Sequence, residues 1–152
     1  MGAGWRIVPV ERAADAFVGE GAKLFGGRWN SPGIAVVYGS QHKSLAALEQ
    51  LVHRNPRAPD RFNAFRFHFP DALIETLPSR SLPDDWRQQP LPLSTQQLGD
   101  AWVREARSAI LAVPSIIIPE EFNYLINPAH PDFREITVGK PEAFVFDTRL
   151  LT

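Results

Sequence analysis

The chain contains no cysteine. That absence excludes disulfides, thiolate zinc sites and a cysteine nucleophile, and it suits the reducing cytoplasm in which the protein is expected to act. Long apolar runs are missing as well. The longest, AILAVPSIII (109–118), is too short to span a bilayer and is broken by Pro114, so no membrane association is expected. The N-terminal MGAGWRIVPVERAAD has no apolar core of signal-peptide length. A dominant charge is lacking too: 16 basic against 17 acidic residues leave a net charge of −1. A surface living on phosphate-backbone attraction needs a positive excess, so any DNA contact is expected to belong to a partner. A single anionic ligand needs only one or two cations and stays open.

Several catalytic signatures are also absent. No phosphate loop ends in Gly-Lys-Ser/Thr, and GEGAKLFGG (19–27) has the glycines of a dinucleotide fingerprint without its spacing. The histidines at 42, 53, 68 and 130 lack zinc spacing, so no metal is expected. Without a Gly-x-Ser-x-Gly elbow, a hydrolase triad is set aside.

What is present is enough for one core. The 152 residues are 44% hydrophobic, with 10 Phe and 4 Trp, and show no repeat and no linker. WRIVPV (5–10) reads as a first strand, and ERAADAFVGEGAK (11–23) as a loop or a short helix. LFGGRWN (24–30) and GIAVVYG (33–39) flank Asn30-Ser31-Pro32-Gly33, which predicts strand–turn–strand. SQHKSLAALEQLVHRNP (40–56) is the clearest helix, with Leu45, Leu48, Leu51 and Val52 in helical spacing, Ser40 or Ser44 as cap and Pro56 as stop. RFNAFRFHFP (61–70) alternates with period two and predicts a half-buried strand. Residues 78–93, with four prolines, form an irregular connection of the kind that serves as a lid. Ser94 and Gln97 have capping-box spacing ahead of a second helix. ILAVPSIII (110–118) is a buried strand interrupted at Pro114-Ser115, FNYLINPAHPDF (122–133) a turn-rich loop, and EITVGK and EAFVFD closing strands. Strands outnumber helices without regular alternation, which makes the fold class α+β rather than doubly wound.

Some polar residues stand where the pattern wants apolar ones. Glu49 shares the stripe of Leu45 and Val52, where a carboxylate is costly unless it is paired or used. Arg28 follows two glycines, and its planar fork suits a phosphate that approaches close to the backbone. Tyr38 offers an aromatic face, Ser115 a hydroxyl inside an apolar run, and Asn123 and Asn127 bracket YLI. Each has a plain structural alternative: a surface hairpin arginine, a boundary glutamate, a strand aromatic, turn asparagines. Together they supply a cation, an aromatic face, a carboxylate and small polar groups. That set suits cleavage of a nucleotide's glycosidic bond, whose oxocarbenium-like state a carboxylate stabilises.

GGRWNSPGIAVVYGSQHKSLAALEQLVH followed by VPSIIIPEEFNYLINPAHPDF resembles the RES-domain family, named for an Arg, a Glu and a Ser, and the resemblance runs over nearly the whole chain. It implies one RES domain over 1–152, with a split mixed β-core and flanking helices similar to ADP-ribosyltransferase toxins. It implies a toxin of a type II toxin–antitoxin pair that cleaves NAD as substrate, by hydrolysis or phosphorolysis. The alternatives are transfer of ADP-ribose to a protein, or a non-catalytic nucleotide-binding corepressor. The implied partner is an Xre-like helix-turn-helix antitoxin that covers the active site, carries the DNA contact and assembles with the toxin into an oligomer. Carried over by position, Arg28 binds the phosphates and Tyr38 stacks on nicotinamide. Glu49 acts on the nicotinamide ribose, Ser115 and Asn123 are polar contacts, and Arg6 is a further ligand contact.

Overall fold

A computed structural model describes residues 1–151. Its strands are β1 (Gly2–Pro9), β2 (Val37–Ser40), β3 (Phe62–Phe69), β4 (Ile74–Thr76), β5 (Ile110–Pro114), β6 (Phe122–Ile126), β7 (Thr137–Val138) and β8 (Glu142–Phe144). Its helices are α1 (Glu20–Phe25), α2 (Lys43–Val52) and α3 (Leu93–Arg104). The strands form one mixed sheet in the order β4-β5-β6-β2-β1-β3-β7, with β8 also on β3; only β4 and β5 run parallel. The expected α+β class holds.

Burial explains the sheet's centre. All five residues of β5 are buried, the signature of a strand covered on both faces. Leu111 and Val113 pack with Trp29, Val36, Trp102 and Leu125 on one face. Ile110 and Ala112 pack with Phe67, Phe69, Tyr124 and Ile126 on the other. On β3 the residues Phe65, Phe67 and Phe69 are buried while Arg66 is exposed, as the alternation predicted. A smaller cluster of Ile7, Ala46, Phe62, Ala64 and Phe146 seats α2 on the sheet.

Four expectations are corrected. Residues 24–30 are not a strand: α1 runs to Phe25, and the following loop holds one isolated bridge between Gly27 and Asn30. Gly26 at φ +73° turns the chain, and Asn30 Nδ2 donates to the carbonyls of Ala22 and Ile34, winding the loop around a buried side chain. Gly33 takes the positive φ expected of it, at +100°. Neither Ser40 nor Ser44 caps α2; Ser40 ends β2, and the capping position is His42, with no side-chain bond. The Ser94–Gln97 box does not form, because α3 starts at Leu93 and the Ser94 hydroxyl donates to Asp85 instead. Most consequentially, FNYLI is a strand and not a loop. As β6 it pairs with β2 on one side and β5 on the other, at the centre of the sheet. The turn begins only at Asn127, whose side chain accepts from the Ala129 N–H. No helix among the described residues is long and apolar enough to cross a membrane.

Candidate active site

A cleft of about 1000 Å³ opens between β1, β2, α1, α2 and the loop that follows β5. That lies at the upper end of the roughly 300–1,000 Å³ of small-molecule sites. Arg6, Arg28, Tyr38, Glu49 and Asn123 all line it. The sheet register and one helix bring together residues that lie up to 117 positions apart in sequence.

Glu49 is the centre of this group. It sits on the half-buried side of α2, while Val52 of the same expected stripe is 61% exposed on the cleft rim. Its Oε1 accepts two hydrogen bonds, from Ser115 Oγ at 3.0 Å and from Asn123 Nδ2 at 3.0 Å. Its Oε2 has no hydrogen-bond partner among the described residues. The carboxylate is thus clamped by one oxygen and free to act with the other. Ser115 itself is wholly buried and does not line the cleft. Its Oγ also accepts from the N–H groups of Ile117 and Ile118, so it closes the turn after β5 as well as holding Glu49.

Arg28 is positioned by its backing. Gln96 of α3 donates to the carbonyls of Gly27 and Asn30, both at 3.1 Å. Asp100 accepts from the Ser31 N–H at 2.9 Å and the Ser31 hydroxyl at 2.6 Å. Gly99 lies between them, where a Cβ would fall 1.6 Å from the Trp29 carbonyl oxygen; only glycine permits this approach. Trp29 is buried against Trp102. The Arg28 guanidinium donates through Nη1 to the carbonyls of Trp86, at 3.1 Å, and Gln88, at 2.9 Å. Partial burial holds it below its ordinary pKa, an effect that the nearby Glu49 carboxylate opposes. It stays a cation with no carboxylate in contact.

Tyr38 is half-buried, with its hydroxyl fully engaged. The hydroxyl donates to Asn30 Oδ1 at 2.6 Å and accepts from the Trp29 N–H at 3.1 Å. Burial raises its pKa well above the usual phenol value, so it serves as neither acid nor base near neutrality. Arg6 donates from Nε to the Ala16 carbonyl at 2.7 Å and from Nη1 to the Tyr38 carbonyl at 2.6 Å. Desolvation lowers it to about 10, with Asp15 acting in the opposite sense, which leaves it charged at neutral pH.

Asn30, Ser40, Gln96 and Asp100 escaped the sequence reading as site-forming residues. Asn30 is fully buried, a signal available only in the structure. Ser40 accepts no role as a helix cap; its hydroxyl donates to Asn123 Oδ1 at 2.7 Å.

Comparison with known proteins gives the family and the fold. The family profile described as RES domain matches residues 3–147. A Sphingobium sp. (strain YBL2) protein named Prs ADP-ribosylating toxin is 39% identical over 153 aligned positions, covering 97% of this chain and 95% of its own. Toxin Res of Yersinia enterocolitica is 37% identical, over 96% of this chain and 97% of its own. Among solved structures, a chain of the M. tuberculosis MbcT–MbcA toxin–antitoxin complex superposes with a TM-score of 0.75 at 17% identity. It covers 95% of this chain and 84% of that one, which shows a shared fold.

Proposed function

The chain belongs to the RES-domain family of toxins, and on that premise we propose that it cleaves NAD at the bond between nicotinamide and ribose. The observation that carries this reading is Glu49, held through Oε1 by Ser115 and Asn123, with Oε2 unpartnered in a cleft that also holds Arg28 and Tyr38.

In the reaction, the C1′–N1 bond breaks and its electron pair returns to the pyridinium nitrogen, releasing neutral nicotinamide. The ribose carries the positive charge that develops. Glu49 Oε2 accepts a hydrogen bond from a ribose hydroxyl and stabilises that charge, most strongly where the cleft has excluded water. Arg28 and Arg6 bind the diphosphate, and the Tyr38 ring stacks on the leaving nicotinamide. An acceptor then adds to C1′ and gives up its proton.

Water or phosphate as acceptor makes the protein a glycohydrolase or a phosphorylase. A protein acceptor is the second reading, and the name of the Sphingobium relative favours it. A helix-turn-helix antitoxin is the proposed partner, seated over the cleft mouth. The toxin–antitoxin complex that shares this fold supports it, as do Phe25, 78% exposed, and Val52, 61% exposed, on the cleft lining.

The test is nicotinamide release from NAD by the antitoxin-free protein, with and without phosphate, beside Glu49→Gln. Release by the wild type, falling about 100-fold or more in the variant, is expected. Strong stimulation by phosphate would identify a phosphorylase. With no release under either condition, mass spectrometry of a treated lysate for ADP-ribosylated protein decides between a transferase and a nucleotide-binding corepressor.

A further inference from the structure

We infer that Ser40 is a positioning residue for the proposed cleavage: it anchors the Asn123 amide that holds the Glu49 carboxylate. The inference rests on the reading of Glu49 given above.

An asparagine amide has a donor end and an acceptor end of nearly equal size, and its environment decides which way it points. Asn123 stands between a carboxylate that can only accept and a hydroxyl that turns to suit whichever amide end faces it. On one side is Glu49 Oε1, which in its ionised form can only accept, so the Nδ2 end must face it, 3.0 Å away. On the other side is Ser40 Oγ, 2.7 Å from Oδ1. The Ser40 hydroxyl has one proton, and with Oδ1 facing it that proton must go to Asn123. A flipped amide would set an acceptor against an acceptor at Glu49.

The arrangement is built into the sheet. Ser40 and Asn123 are directly opposed in the antiparallel pairing of β2 with β6, and Ser40 is opposed to Trp5 on β1. Ser40 is only 2% exposed, which leaves little water to replace its hydroxyl. Asn123 is opposed to Val113 on β5, one residue before Pro114 and two before Ser115. Neighbouring strands thus deliver both donors to the same carboxylate oxygen.

The two donors differ in how firmly they are set. Ser115 Oγ accepts from two backbone N–H groups, so its own proton has only Glu49 to go to. Asn123 has no such backbone constraint on its amide; Glu49 fixes which end faces the carboxylate, and Ser40 anchors the other end. Ser40 lies at the cleft wall with its hydroxyl spent on Asn123. Its effect is to keep Glu49 Oε1 occupied and Oε2 turned to the cleft, and groups that orient a functional residue commonly change activity by about 10–100-fold when removed.

The experiment compares wild type, Ser40→Ala and Ser40→Thr by nicotinamide release, and follows the Asn123 side-chain NH₂ protons by NMR, assigned through Asn123→Ala. For Ser40→Ala we expect kcat to fall about tenfold with KM within about twofold, because the phosphate and ring contacts are untouched. Ser40→Thr, which keeps the hydroxyl, restores kcat. The Asn123 NH₂ pair should exchange slowly in wild type and fast in Ser40→Ala. Unchanged kcat, a rise in KM alone, or unchanged Asn123 exchange in Ser40→Ala overturns the inference. If wild type releases no nicotinamide, the reading of the reaction fails, and the NMR comparison still decides whether Ser40 anchors Asn123. If Ser40→Thr does not fold, the wild-type and Ser40→Ala exchange rates decide it.

Discussion

Ser115 and Glu49 lie 66 residues apart in sequence, and the buried hydroxyl of one donates to the carboxylate of the other at 3.0 Å. Pro114 ends β5, the chain turns at once, and the turn is closed by the same serine that reaches α2. One side chain therefore couples the shape of the cleft wall to the position of its carboxylate.

Ser115→Ala is expected to damage both. It removes one of the two donors to Oε1 and leaves the N–H groups of Ile117 and Ile118 without their acceptor. Leaving such groups unsatisfied costs about 1–3 kcal/mol. At this chain length that lowers the melting temperature by several degrees, and nicotinamide release should fall about tenfold or more. Thermal melts alongside nicotinamide assays check it. A variant with wild-type turnover would remove Ser115 from the support of Glu49.

Arg28→Ala should separate binding from folding. The guanidinium is partly exposed and bonds only to two loop carbonyls, so the fold is expected to survive. Loss of charge-assisted bonds to phosphate, each about 1.5–3 kcal/mol, predicts a KM for NAD raised about tenfold or more. Arg28→Lys should recover little, since a point charge does not replace the planar fork. The same variants free the carbonyls of Trp86 and Gln88, and amide exchange over residues 83–92 should quicken. Equal KM in Arg28→Ala and wild type would end the phosphate role.

Tyr38 distinguishes its ring from its hydroxyl. Tyr38→Phe keeps the stacking face and should keep KM within about threefold, while Tyr38→Ala should raise it more than tenfold. The phenol's folded pKa is raised above its unfolded value of about 10. The fold therefore favours the neutral form, and the stability this gives is complete below about pH 10 and is lost as pH rises above it. Tyr38→Phe should lessen that alkaline loss in melts run from pH 8 to 11. A hydroxyl acting in catalysis would instead make Tyr38→Phe as inactive as Tyr38→Ala.

Much of this was legible in the residues themselves, and the failures have a common cause. Local periodicity located β1, α2, β3, β5 and the closing strands, because those segments bury one face or both against neighbours whatever their exact partners. Glu49 stood out because a carboxylate on an apolar stripe needs a reason, and Arg28 because two glycines precede it. The misread segments are those where a polar side chain bonds outside the local motif that its residue type suggests. FNYLI looked like a loop because Asn123 reads as a turn residue, yet its amide is spent on Glu49 and Ser40 from the middle of a sheet. LFGGRWN looked like a strand, yet Asn30 gathers the loop's carbonyls around itself and ties it to Tyr38. Ser40 and Ser94 have the chemistry of helix caps and donate instead to the side chains of Asn123 and Asp85.

The sequence by itself determined the kind of molecule: a cysteine-free α+β chain of nearly balanced charge, with a basic, an aromatic and an acidic residue set along its first third. Hydrophobic periodicity and composition are properties of neighbours in the chain, so they can be read along it. Tertiary structure decided that Glu49 has one oxygen held and one free, that Ser115 is a support inside the wall, and that the Tyr38 hydroxyl is tied to Asn30 and Trp29. The Glu49 outcome depends on which donor meets which acceptor across 66 and 74 residues of sequence separation, and the packing of α2 against the sheet sets that pairing.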